Sequence, residues 1–273
     1  VATNGSSNVA QVATNLDAST KYEYRLLQND TNSEPEEFTT EDDIQLPNSG
    51  FEDWYTDSDG LPKPAKDASS SFWDCGNVNY FGKHIMTTQN DETALGQGSS
   101  VKMETQETMK IIAAGNIFTG TFERDGMGGI LTLGRNFECR PNKLKGYYKY
   151  TSAKVSVSKG HLNEGEDDLC SLYIALTDEQ ITVNTNKGIY FDPNSSAVIA
   201  YGSISDEESK GADSFKEFTV DLEYKDLKRI PKYIIVVASS SKYGDYMEGG
   251  KGSTMWLDDL ELVYPKSMEE VRK

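Results

Sequence analysis

Trp73 and Tyr80 stand in the stretch Phe72-Trp-Asp-Cys-Gly-Asn-Val-Asn-Tyr-Phe81, interleaved with Asp74, Asn77 and Asn79, and Tyr243 and Tyr246 bracket a Gly-Asp pair in a glycine-rich stretch. An aromatic ring offers an apolar plate, and amides or carboxylates beside it offer donors and acceptors. That combination can stack on the C–H face of a sugar while bonding its hydroxyls. Both stretches read as loops, so Trp73, Asn77, Tyr80, Tyr243 and Tyr246 are the candidate carbohydrate contacts. Core packing is the competing expectation for any single ring. A third aromatic group, Tyr147, Tyr148 and Tyr150, lines a strand, and Trp54, close to Phe51, is assigned to the core.

Cleavage of a glycosidic bond needs two carboxyl groups roughly 5 to 10 Å apart. Asp74, Glu123, Glu138, Asp168 and Asp245 are all candidates, but no spacing selects a pair, so no catalytic residue is assigned. A Ser-His-Asp or Cys-His apparatus would have to use His84 or His161, and neither lies in a nucleophile-elbow context. Cys75, Cys139 and Cys170 form an odd set without metal-type spacing. They read as free, buried thiols acting as small apolar residues, with one internal disulfide as the alternative.

Short runs rich in Tyr, Thr, Val, Ile and Phe, separated by Gly, Asn, Asp and Ser, give the texture of strands and turns. Strands are expected at 100–105, 117–122, 147–157, 169–176, 197–201, around Phe218, Val220 and Leu222, and at 233–238. The last is a continuous apolar run of the kind found at a sheet centre. Residues 160–168, 206–213 and 239–253 read as polar loops, and 266–273 as a short helical turn or a frayed end. Leu46-Pro-Asn-Ser-Gly-Phe-Glu-Asp-Trp54 and Gly252-Ser-Thr-Met-Trp-Leu-Asp-Asp-Leu-Glu-Leu-Val-Tyr264 read as the first and last strands of one closed double sheet. Their pairing would bring the acids of the two segments together.

The 273 residues are enough for one large β domain and a fragment of another. A formal net charge of -17 argues against nucleic acid and against an anionic membrane surface, because both require a basic footprint. No apolar stretch approaches the roughly 20 residues that span a bilayer, so the chain is not expected to cross a membrane. It opens at Val1 without a basic-then-apolar leader, the expectation for a mature or trimmed form.

The segments 46–54 and 252–264 resemble the two ends of jelly-roll carbohydrate-binding modules, which begin with an Asn-x-Gly-Phe-Glu turn and end with an aliphatic-Asp-Asp-aliphatic strand. More narrowly, residues 44–264 resemble the putative carbohydrate metabolism domain of Bacteroidetes surface and secreted proteins, through Ala114-Gly-Asn-Ile-Phe-Thr-Gly120, Arg140-Pro-Asn-Lys-Leu-Lys-Gly-Tyr-Tyr-Lys-Tyr150, Tyr233-Ile-Ile-Val-Val-Ala-Ser-Ser-Ser241 and Gly249-Gly-Lys-Gly-Ser-Thr-Met-Trp-Leu-Asp-Asp259. Leu16-Asp-Ala-Ser-Thr-Lys-Tyr22 is similar to the Leu-x-Pro-x-Thr-x-Tyr corner of fibronectin type III domains, with Ala18 in place of Pro. These resemblances imply an all-β jelly-roll sandwich over 44–273, preceded over 1–43 by the C-terminal remnant of a fibronectin or Ig-like domain and a linker.

A structural calcium is commonly held in such modules where the first turn meets the last strand. Carried over, that implies Glu52 and Asp258 as ligands, with backbone oxygens near Asn48. The alternative is that these acids cap turns and pair with a Lys or backbone amides. The resemblance further implies a non-catalytic module of an exported bacterial protein, at the cell surface, in the periplasm, secreted or lipid-anchored, with a poly- or oligosaccharide as partner. A glycoside hydrolase or lyase on the same fold and a structural or adhesive surface protein are the rival expectations.

Overall fold

The computed structural model describes residues 16–28 and 31–264. Its principal strands are β1 (Thr87–Asn90), β2 (Ser100–Glu104), β3 (Asn116–Asp125), β4 (Gly128–Leu133), β5 (Lys143–Thr151), β6 (Ser171–Thr177), β7 (Ile181–Asn184), β8 (Val198–Ser203), β9 (Ala212–Asp221), β10 (Tyr233–Ser239) and β11 (Thr254–Val263). Strands β1, β2, β11, β5 and β9, in that order, make a five-stranded antiparallel sheet. A nine-stranded sheet runs β7, β4, β3, β10, β6, β8 and the short Glu223–Tyr224, with Arg135–Asn136 beside β10 and Trp73–Asp74 beside β3. Together they form the jelly-roll sandwich. No helix among the described residues is long and apolar enough to cross a membrane.

Alternation along each strand sends every second residue between the sheets. In β5 it turns Leu144, Tyr148 and Tyr150 inward and leaves Lys143, Lys145 and Lys149 on the other side. They meet Val101, Met103 and Leu257 from the same sheet, and Leu172, Ile174, Ile234 and Val236 from the opposite one, in one continuous core. Each such side chain contributes about 1.5–3 kcal/mol when fully buried. The run at β10 is apolar on both faces for a reason: Ile234, Val236 and Ala238 enter this core, whereas Ile235 and Val237 join a second cluster on the outer face of the nine-stranded sheet. That outer cluster also contains Phe118, Leu131, Leu133, Val183 and, half-buried, Phe122 and Phe191.

Strand β3 forks the nine-stranded sheet. Asn116–Phe118 keep register with β10, and Gly120 to Asp125 with β4. At the fork, the Thr119 hydroxyl donates to Ile234 O (2.9 Å) and accepts from Val236 N (3.0 Å), replacing ladder bonds that the divergence removes. Gly120 follows at φ +154°, and a Cβ there would lie 2.3 Å from Thr132 O, so no larger residue fits between the separating strands.

Residues 46–54 are not a strand, which corrects the expected pairing of first and last strands. Pro47 has no N–H to donate, and Asn48 and Phe51 take φ of +50° and +56°, incompatible with a ladder. The segment still reaches β11, by other groups. Gln45 Nε2 donates to Leu262 O and Leu262 N to Gln45 Oε1, both at 2.8 Å, and Leu260 N donates to Ser49 O at 3.0 Å. Phe51 is fully buried beneath this turn, edge-on to Trp73 at 5.4 Å.

At the N-terminal side, Lys21–Tyr24 pairs with Glu36–Thr39, and Tyr22 stacks on Phe38 at 5.8 Å. Neither strand of that hairpin has a buried residue. The expected turn or frayed end at 266–273 lies outside the described residues.

Candidate functional site

Two of the five expected carbohydrate contacts belong to the interior. Trp73 lies in the short strand that adds to β3, where alternation points it between the sheets; it is 1% exposed and its Nε1 donates to Pro47 O at 2.7 Å. Asn77 is buried as well. Its Oδ1 accepts from Met86 N and Thr87 N, both at 2.9 Å, and its Nδ2 donates to Thr87 O (2.7 Å) and Pro62 O (3.2 Å). All four hydrogen-bonding positions of that amide serve backbone, and none is left for a ligand.

Tyr80 instead stands half-buried at the mouth of a cleft of about 430 Å³ over the outer face of the nine-stranded sheet. Phe122 and Leu131 line this cleft from the sheet itself. Its rim comes from three tight turns, Tyr80-Phe81, Met109-Lys110 and Gly126-Met127, and from the 3-10 turn Gly244–Tyr246. The Arg124 guanidinium sits 4.1 Å from the centre of the Tyr80 ring, an arrangement that fixes both side chains at the rim.

Tyr243 precedes the same 3-10 turn and Tyr246 ends it, and both come together with residues that local sequence had not grouped with them. His161 stacks on Tyr243 at 4.3 Å and 14° and lies 4.3 Å from Tyr246, and Tyr190 lies 4.0 Å from Tyr246. All three tyrosines are half-buried and His161 is exposed, so the four rings make a ledge beside the cleft that is partly accessible to solvent. Glu248 fixes the ledge from beneath. Its carboxylate is fully buried and accepts from Lys159 N (2.7 Å), Leu162 N (2.5 Å), His161 N (3.2 Å) and the His161 ring at Nδ1 (3.1 Å). Burial alone would push its carboxyl up, but these donors outweigh burial and hold it below the usual carboxylate range. Tyr190 carried a usable signal, an aromatic pair with Phe191 among Gly, Asp and Pro; Glu248 carried none, because its partners lie 86 to 89 residues away.

The acids sort by environment. Asp245 is the single carboxylate in the cleft wall, no group among the described residues donates to it, and burial pushes it up to about 6. Asp74 is held by Lys63 Nζ at 2.7 Å and Phe122 N at 2.8 Å. Asp168 is buried and accepts from Ser241 Oγ (2.6 Å) and Gly250 N (2.8 Å). Both are structural, and Glu123 and Glu138 are exposed outside the cleft wall. The three cysteines are free and buried, and burial pushes the Cys75 and Cys170 thiols up to about 12.

Glu52 and Asp258 do converge where the turn at 48–51 meets β11. Each accepts a backbone N–H, Glu52 Oε1 from Ser99 at 3.0 Å and Asp258 Oδ2 from Ala94 at 2.9 Å. Burial first, then the nearby Asp259 and Glu52 carboxylates, push Asp258 up to about 6. Among the described residues no group of three or more His, Cys, Asp and Glu side chains is arranged to hold a metal.

Residues 37–263 match the family described as putative carbohydrate metabolism domain, a match that begins at 37 rather than 44. A Bacteroides vulgatus protein described as a putative glycoside hydrolase is similar with a TM-score of 0.53 and 24% identity, over 65% of this chain and 77% of its own. A Bacteroides thetaiotaomicron protein of the same description gives a TM-score of 0.53 and 22% identity, over 95% and 72%. At those identities the likeness is one of fold. No curated protein matches the chain.

Proposed function

The chain belongs to the putative carbohydrate metabolism domain family, and on that footing we propose that it binds a poly- or oligosaccharide without cleaving it. The observation that carries this reading is the ledge of Tyr190, Tyr243, Tyr246 and His161, set beside a cleft whose wall holds one carboxylate. Partly exposed rings suit stacking on sugar faces, whereas hydrolysis requires a second carboxyl group that the wall lacks. The same proposal, resting on the family resemblance, is of a domain of an exported protein of carbohydrate use.

Affinity electrophoresis on immobilised glycans tests it. Tyr246→Ala is expected to weaken retention several-fold, about 1–2 kcal/mol, with the melting temperature nearly unchanged. Trp73→Ala, by contrast, should lower stability by about 3–5 kcal/mol through the cavity it leaves. No retention of any glycan by the wild type would sink the proposal. Reducing-sugar release abolished by Asp245→Asn would replace it with a hydrolase.

A structural calcium remains a proposal for the turn at 48–51. The donors there fit a hard cation: Glu52 and Asp258 are crowded carboxylates, each with a second oxygen beyond the one its backbone amide engages, and backbone or water oxygens would complete the shell. Chelation is then expected to lower the melting temperature and added calcium to restore it, since a ligand of the folded state stabilises by mass action. Identical melts with chelator and with calcium would retire the ion.

A further inference from the structure

The cleft beside the ledge has an apolar rim. Its rim is three hairpin tips that each hold a large apolar residue where Asn, Asp or Gly is the usual occupant. Phe81 (φ +53°) is 93% exposed, Met109 (φ +50°) 84% and Met127 59%. A side chain with positive φ is disfavoured by its own backbone, so Phe81 and Met109 are poor choices for making a turn. All three tips converge on one opening.

Within the opening, Met86 and Met247 add two more thioethers, above Phe122 and Leu131. Several polar side chains of the wall already serve the backbone, whereas the Tyr80 hydroxyl, the His84 ring and the Thr108 hydroxyl make no hydrogen bond among the described residues. Gln106 Nε2 donates to Ile85 O (2.8 Å), Asn116 Oδ1 accepts from Gly76 N (2.8 Å), and Thr185 Oγ1 accepts from Gly129 N (3.0 Å). Arg124 Nη1 donates to Gly126 O at 2.9 Å. The apolar tips and thioethers reward an apolar group, which gains free energy on leaving water there. The volume of about 430 Å³ is that of a small-molecule site. Methionine sulfur makes favourable contacts with aromatic rings and adapts to their shape. Asp245 lines this space, and no group among the described residues donates a hydrogen bond to its carboxylate.

We propose that this cleft holds a phenol-type aromatic group, free or carried on a glycan, with its ring among the methionine side chains and its hydroxyl donating to Asp245. The inference goes beyond the glycan ledge and stands independently of it. Titration calorimetry of the whole chain with methyl 4-hydroxycinnamate, its 4-O-methyl ether and the glucose ester of 4-hydroxycinnamate tests it. Saturable one-to-one binding of the free phenol is expected, with the ether at least fivefold weaker. Met109→Asp and Met127→Asp change exposed tips and should weaken binding at least tenfold without moving the melting temperature. Asp245→Leu should make the phenol and its ether bind equally. Tighter binding of the glucose ester than of the methyl ester assigns a glycan-carried phenol, and equal binding a free one. Tyr246→Ala should leave methyl 4-hydroxycinnamate binding intact, so failure of the glycan reading is distinguishable from failure of this one. Absence of saturable binding by the wild type, or tip variants that bind as tightly as it does, would overturn the assignment.

Discussion

Asp245 has a consequence for stability whatever occupies the cleft. Its folded-state value of about 6 lies above the ordinary carboxylate value of 3.8, because burial disfavours the ionised form. Ionising it therefore costs the folded protein more than the unfolded chain. That cost is present above pH 6 and disappears as pH falls below the unfolded value. Asp245→Asn is expected to raise stability at pH 7.5 by up to about 3 kcal/mol and to change it little at pH 3.5. Thermal melts of both proteins at the two pH values check this, and an equal effect at both would refute it. The neighbouring residues show how far local sequence can go. Trp73 and Tyr246 sit in similar mixtures of aromatic, Gly, Asp and Asn, yet one is core and one is ledge. The difference is a two-residue strand pairing with β3, a long-range event that composition near Trp73 does not encode.

At the level of elements, strands with a clear period or a continuous apolar run were legible. Positions 100–105 and 233–238 correspond to β2 and β10 within a residue or so. The stretch 147–157 was displaced: β5 runs Lys143–Thr151, because alternating Lys residues on its outer face hide the start of the strand. Strands β1, β4 and β7 were not among those expected: β1 and β7 are four residues long, and β4 opens on two glycines. The N-terminal hairpin contributes no buried residue, and chain contacts with the last strand start at Ile44 and Gln45, through Tyr264 and Leu262. A chain starting at Asp43 is therefore expected to unfold cooperatively within a few degrees of the parent melting temperature. Loss of the cooperative transition in calorimetry would show that the hairpin is integral to the sandwich.

For the whole molecule, charge selects among glycans. With a formal net charge of -17, the protein repels a polyuronate over about a Debye length, roughly 10 Å at 0.1 M salt. Neutral polymers are the expected partners, with retention insensitive to salt, and polyuronates should be retained weakly if at all in dilute buffer. Stronger retention on a polyuronate gel at low ionic strength would contradict this.

The order of strands in the sheets bears also on how the chain comes to be folded as it is made. The centre of the five-stranded sheet is β11, between β2 and β5, and the centre of the other is β10, between β3 and β6. Both lie after residue 232, so β2, β5, β3 and β6 each wait for one of their two neighbours to emerge from the ribosome, although their pairings with β1, β9, β4 and β8 can form earlier. A nascent chain stopped at residue 230 would present four strand edges with nothing to pair with, a state open to proteases and to chaperones, and release would be followed by slow, long-range closure rather than stepwise consolidation.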